Sequence, residues 1–121
     1  MAEPFVILLH VGCGPDHYDL MLSDGRTLAT WRLPTNPAEL AADQSAPATR
    51  LADHRRDYLI YEGPVSGDRG RVSRTAEGSC ETVARQEDCW EFCLAGEGVD
   101  GRFELRRVGP GDDQWRLTRR E

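Results

Sequence analysis

His10, His17 and Asp19 are the residues of this chain whose types and spacing point most directly to chemistry. In His17-Tyr18-Asp19 a strand's period of two throws the imidazole and the carboxylate onto one face, about 7 Å apart along the backbone. Two ligands can then converge on one cation. His10 closes the apolar run that begins at Phe5, and it reaches the same face if the two segments pair as neighbours. The resulting His, His, Asp set leaves coordination positions open for water and substrate, and it suits manganese, zinc and iron alike. Taken alone, the pair is equally satisfied by a hydrogen bond between His17 and Asp19 on a solvated strand face, with His10 an ordinary surface residue. The third histidine, His54, lies among charged residues in Asp53-His54-Arg55-Arg56-Asp57-Tyr58.

The elements that must position these groups read as short strands. Phe5 to His10 is apolar, Gly12, Gly14 and Pro15 break it, and His17 to Leu22 alternates, with His17, Asp19 and Met21 on one side. Ser23-Asp24-Gly25-Arg26 is a hairpin signal, and Thr27 to Leu33 returns. Prolines, alanines and small polar residues from Pro34 to Thr49 predict a long surface loop with at most a short helix at Ala38 to Asp43. Tyr58 to Tyr61 predicts a strand, and Glu62 to Gly70 a glycine-punctuated turn region. Further strands are expected at Arg71 to Thr75, Cys80 to Arg85, Cys89 to Ala95, Arg102 to Val108 and Gln114 to Arg119. This spacing predicts an all-β, mainly antiparallel protein: a small barrel or barrel-like sandwich with at most one or two short helices, closure being favoured because it removes exposed edges. The length predicts a single domain over residues 1–121.

Charge narrows the partners. The net charge is −6, and all 15 basic side chains are arginine, with no lysine. Coating duplex nucleic acid nonspecifically draws its affinity from a basic excess, so a broad grip of that kind is not expected. Planar, bidentate recognition of one or two phosphates by arginine is. No run approaches the roughly 20 apolar residues of a membrane-spanning helix and no signal peptide is evident, so the expected setting is cytoplasmic, away from membranes. There Cys13, Cys80, Cys89 and Cys93 are expected as reduced, buried or half-buried thiols. The alternation of Cys89, Glu91 and Cys93 with Trp90, Phe92 and Leu94 favours a strand over a zinc ligand pair.

Several stretches together resemble the 3'-phosphoesterase domain of bacterial DNA ligase D. His17-Tyr18-Asp19-Leu20-Met21-Leu22, preceded by a histidine ending an apolar run, is similar to that family's metal-binding segment. Asp53 to Tyr58 is similar to its Asp-His-Pro-Leu-x-Tyr segment, and Tyr61-Glu62-Gly63-Pro64-Val65 with Gly67 and Gly70 to its Glu-Gly and glycine-rich turn. Phe92-Cys93-Leu94 through Gly101 to Arg106 resembles its closing hairpin, and Trp115-Arg116-Leu117 its last strand. The resemblance implies a barrel-like β fold, a manganese-dependent site, and processing of DNA or DNA-RNA 3' ends by removal of a terminal ribonucleotide and hydrolysis of a 3'-phosphate. It implies that His10, His17 and Asp19 bind the metal and that His54 and Tyr58 contact the scissile phosphate. A DNA ligase or another end-joining repair protein is the partner it suggests.

The sequence departs from that pattern in three places. Six residues rather than five separate His10 from His17, so Val11 to Asp16 must bulge. Met21 stands where the family has an arginine able to grip phosphate, and Thr35 follows Trp31-Arg32-Leu33-Pro34 where a basic residue is expected. Arg32 and Arg50 are the candidates to supply the lost charge. Glu62 is expected to anchor a turn or pair with an arginine. Two further readings stay open: a catalytically weak or inactive metal-binding module that binds strand ends or a repair partner, and a small metal-dependent hydrolase for another phosphoester such as a free nucleotide.

Overall fold

The computed structural model describes residues 2–121. Its nine strands are β1 (Glu3–Val11), β2 (His17–Ser23), β3 (Leu28–Leu33), β4 (Ser45–His54), β5 (Gly63–Pro64), β6 (Arg71–Gln86), β7 (Cys89–Glu97), β8 (Val99–Arg107) and β9 (Gln114–Arg119). Hydrogen bonding runs in the order β1-β2-β3-β4-β9-β8-β7-β6, and β6 returns to β1, so eight antiparallel strands close a barrel with β5 as a short addition on β6. Two 3₁₀ turns, Pro37–Glu39 and Arg56–Leu59, are the helical elements among the described residues. No helix there is long and apolar enough to cross a membrane.

The barrel is filled by inward side chains, among them Phe5, Ile7, Leu20, Leu22, Trp31, Phe92, Phe103, Leu105 and Leu117. A second, smaller core lies on the outside of the wall, where Val6, Leu8, Met21, Leu28 and Val72 are covered by Tyr58, Leu59 and Val65. This explains why Phe5 to Leu8 reads as an unbroken apolar run: β1 is buried on both faces. The metal-ligand candidates continue this outer face.

Three expectations about the elements need correction. The stretch predicted as a loop as far as Thr49 becomes strand from Ser45. Its inward residues there are Ala46 and Ala48, small enough to share the core with Trp31 and Trp115, and two alanines give almost no apolar alternation to read. The strand predicted at Tyr58 to Tyr61 is instead the 3₁₀ turn and its exit, where Ile60 and Tyr61 both donate backbone N–H groups to the Asp57 carbonyl. Tyr58 and Leu59 are apolar because they cap the outer core. Finally, β6 is one strand where two were expected. Gly78 marks a close crossing rather than a turn, since a Cβ there would stand 2.2 Å from the Ala95 carbonyl oxygen and one on Gly96 2.0 Å from that of Glu77. β6 pairs β1 over Arg71–Cys80 and β7 over Glu77–Gln86, with a bulge at Thr75 against β1 and another at Val83 against β7.

All four cysteines are free, with Cys80 buried and the other three half-buried. Glu62 anchors a turn: its carboxylate accepts the Arg74 backbone N–H at 2.8 Å and faces the Arg74 guanidinium at 3.5 Å.

Candidate metal centre

Register brings the three ligand candidates together. In the β1–β2 ladder His10 lies directly opposite His17 and Leu8 opposite Asp19, while Asp19 faces Arg32 across the β2–β3 ladder. The two imidazoles therefore meet across one rung, with the carboxylate on the next outward position of β2. The six-residue connection does not displace His10, because Gly12 and Gly14 take positive φ values of 82° and 72° and absorb the extra residue in the loop.

The donor atoms form a compact triangle. His17 Nε2 is 3.1 Å from His10 Nδ1, His10 Nδ1 is 3.8 Å from Asp19 Oδ2, and His17 Nε2 is 3.8 Å from Asp19 Oδ1. Ligand atoms on a tetrahedral cation with bonds of about 2.1 Å stand about 3.4 Å apart, so these edges fit. All three residues are buried.

Tautomers strengthen the argument. The far nitrogen of each ring is already engaged by a carbonyl, His10 Nε2–H donating to Arg69 O at 2.5 Å and His17 Nδ1–H to Pro15 O at 3.1 Å. In the neutral rings His10 Nδ1 and His17 Nε2 are consequently bare lone pairs pointing at one another. Asp19 Oδ1 is buried without a hydrogen-bond partner among the described residues. Two facing lone pairs beside an orphaned carboxylate oxygen lack one thing, a positive charge between them, so the residues present fit a divalent cation. Burial raises the Asp19 carboxyl pKa above the ordinary carboxylate value, with His17, Arg32, His10 and His54 pulling the other way.

The carbonyl that orients His10 comes from the glycine-rich turn. Gly70 presses so close to the β1 end that a Cβ on it would stand 1.9 Å from the Val11 carbonyl oxygen. Only glycine allows this approach, which carries Arg69 O to His10. This supporting role was missed from sequence; Gly67 and Gly70 were a visible signal, but nothing in the sequence indicated what the turn approaches.

Beside the triangle opens a cleft of about 130 Å³ whose lining includes His10, Asp19, Met21, Arg32, His54 and Tyr58. His54 and Tyr58 stack edge to face at 5.4 Å between centroids, and His54 Nδ1–H donates to Ala52 O at 2.9 Å. Arg32 reaches the cleft, its Nε 3.8 Å from Asp19 Oδ1. Arg69 and Cys13 also border it, positions that sequence reasoning did not assign to the site.

Arg50 does not join them. Its guanidinium lies 4.5 Å from the Trp31 ring centroid and 5.8 Å from that of Trp115, pairs with Asp53, and borders a separate cavity at one end of the barrel with Arg85 and Trp90. Trp31 opposes Arg50 across β3 and β4, so this side chain is committed to the inward side. Met21 is fully buried in the outer core, two positions beyond Asp19, and gives the cleft an apolar wall.

Against known proteins, the family model of the DNA ligase D 3'-phosphoesterase domain matches residues 10–107. No curated protein matches the chain.

Proposed function

Because the chain belongs to the family of DNA ligase D 3'-phosphoesterase domains, we propose that it hydrolyses phosphate esters at the 3' ends of DNA or DNA-RNA strands with a divalent metal, removing a terminal ribonucleotide or a 3'-phosphate in DNA repair. The observation that carries this reading is the convergence of His10 Nδ1, His17 Nε2 and the Asp19 carboxylate, whose Oδ1 lacks a hydrogen-bond partner among the described residues, beside a cleft that also holds His54, Tyr58 and Arg32. His10, His17 and Asp19 would hold the ion. A divalent cation in such a site withdraws charge from a phosphoryl oxygen and lowers the pKa of water, supplying a nucleophile near neutral pH. Manganese is the proposed metal, with zinc the competing choice.

The surrounding residues divide the remaining work. Arg32 offers a guanidinium to a phosphate oxygen and offsets charge beside Asp19. With Nδ1–H held by Ala52 O, His54 has Nε2 for the substrate. As an imidazolium it donates a proton there to the leaving oxygen or a hydrogen bond to a phosphate oxygen. The Tyr58 hydroxyl is a further donor, its ring fixed against His54 and Tyr61. Hydrolysis of a 3'-phosphate leaves a hydroxyl that a ligase can seal, which makes an end-joining ligase the proposed partner.

Burial of Met21 at the position of the family's arginine favours a second reading, a binding module that keeps the metal and strand ends without turnover. The experiment that separates them offers the purified protein a primer-template ending in a ribonucleotide or a 3'-phosphate, with manganese. Shortening or dephosphorylation that His17→Ala abolishes supports the hydrolase; metal binding and end affinity with no product across several metals supports the module.

A further inference from the structure

A second cavity opens next to the metal cleft and shares Tyr58 and Val65 with it. It is about 260 Å³, against about 130 Å³ for the cleft itself. The smaller space suits a phosphate; the larger one has room for a ring. Tyr61 and Arg55 stand exposed at its wall. Tyr61 is held rigidly for an exposed aromatic. Its ring meets Tyr58 edge to face at 5.9 Å, and its hydroxyl donates to the Pro64 carbonyl. An aromatic surface that is already immobilised loses little entropy when a flat partner stacks on it.

We propose that this cavity is a nucleobase subsite: it stacks the base adjacent to the scissile phosphate on Tyr61, while the phosphate occupies the metal cleft. The rings of His54, Tyr58 and Tyr61 form a continuous file from one cavity to the other, as a phosphate and the base of the same nucleotide require. Asp57 and Arg55 on the cavity wall balance in charge, so the wall has no net pull on a second phosphate, while the Asp57 carboxylate can accept a hydrogen bond from a base's exocyclic amine; with the ring of Tyr61 beside them this favours a base over backbone as the occupant. The protein would then grip a strand end through one phosphate and one stacked base. That is compatible with a net charge of −6, which denies it a broad electrostatic hold on the backbone. The inference rests on the reading of the metal cleft as a phosphate-ester site.

Two strands test it, each carrying a 3'-phosphate, one ending in an ordinary nucleotide and one in an abasic residue. With manganese present, the wild-type protein should show a KM about tenfold lower for the base-bearing end, the size of one base–aromatic stack. Tyr61→Ala should collapse that ratio toward one, and Tyr61→Trp should keep it. Equal KM values for both strands in the wild type, or a Tyr61→Ala ratio unchanged from wild type, overturns the subsite. Absence of turnover on both strands is a failure of the hydrolase reading instead. Fluorescence anisotropy with the same two strands and the manganese-loaded protein then decides the subsite by the same ratios in Kd.

Discussion

Asp19→Asn should make the metal-free protein more stable while removing its response to metal. In the folded chain Asp19 is buried, Oδ1 lacks a hydrogen-bond partner among the described residues, and burial raises the carboxyl pKa. A group whose neutral form is favoured on folding makes the fold lose stability as pH rises from the unfolded carboxylate value through the raised one, so at neutral pH the carboxylate is a net cost. Leaving one buried acceptor unsatisfied costs about 1–3 kcal/mol. An asparagine keeps the shape, removes the charge and offers an N–H to the bare nitrogen of His17 or His10. At about 2.1 cal/mol/K of unfolding entropy per residue, a 121-residue chain gains roughly 4 °C in Tm per kcal/mol, so the metal-free variant should melt about 4–12 °C above wild type. Manganese at a hundred times its Kd stabilises the wild type by about 2.7 kcal/mol, roughly 10 °C, and this shift should vanish in the variant. Differential scanning calorimetry with chelator and with manganese reads both numbers at pH 7. A variant that melts lower than wild type without metal, yet still gains several degrees with it, would refute the placement of the cation among these three residues.

Gly70→Ala should lower Tm by about 4–12 °C, because a Cβ would meet the Val11 carbonyl oxygen at a φ of +78°, a strain of about 1–3 kcal/mol before the clash. It should also weaken manganese binding about 10–100-fold by withdrawing Arg69 O from His10, measured by titration calorimetry. The two arginines proposed from sequence should part company. Arg32→Ala should reduce kcat/KM about 10–100-fold and lower Tm by up to about 4 °C, because it also removes a charge that offsets buried Asp19, whereas Arg50→Ala should cost about 0.5–2 kcal/mol of stability by uncovering Trp31 and leave kcat/KM of the folded protein intact. Burial pushes the Cys80 thiol pKa up to about 12, so at pH 8 iodoacetamide should label Cys80 only after denaturation, with mass spectrometry identifying the site. Rapid alkylation of Cys80 in the native protein would contradict its place in the barrel core.

The parts of this protein that were legible in the sequence are those written in local pattern. Strand alternation placed His17, Asp19 and Met21 on one face, turn residues ended β2, and the repeated short apolar runs announced an antiparallel barrel, as the closed ladder bears out. Short-range pattern failed where one residue serves a distant partner. Ala46 and Ala48 carry too little apolar signal to announce β4, because their size answers to tryptophans elsewhere in the chain. Tyr58 and Leu59 look like strand residues because they are apolar, yet they are half-buried as a lid on an outer core whose buried members come from β1, β2, β3 and β6.

By itself, then, the sequence determined the chemical inventory and its faces: two imidazoles and a carboxylate at strand spacing, arginines as the only basic side chains, and enough short strands to close a sheet. The tertiary structure decided which of these groups meet. Register set His10 opposite His17 despite the longer loop, the approach of Gly70 supplied the carbonyl that fixes the His10 tautomer, and the pairing of β3 with β4 placed Arg50 opposite inward Trp31 while Arg32 stayed at the cleft. The reason is physical: side-chain identity and period are properties of neighbouring residues. Convergence, tautomer and burial depend on strands far apart in the chain, and only closure of the barrel fixes them.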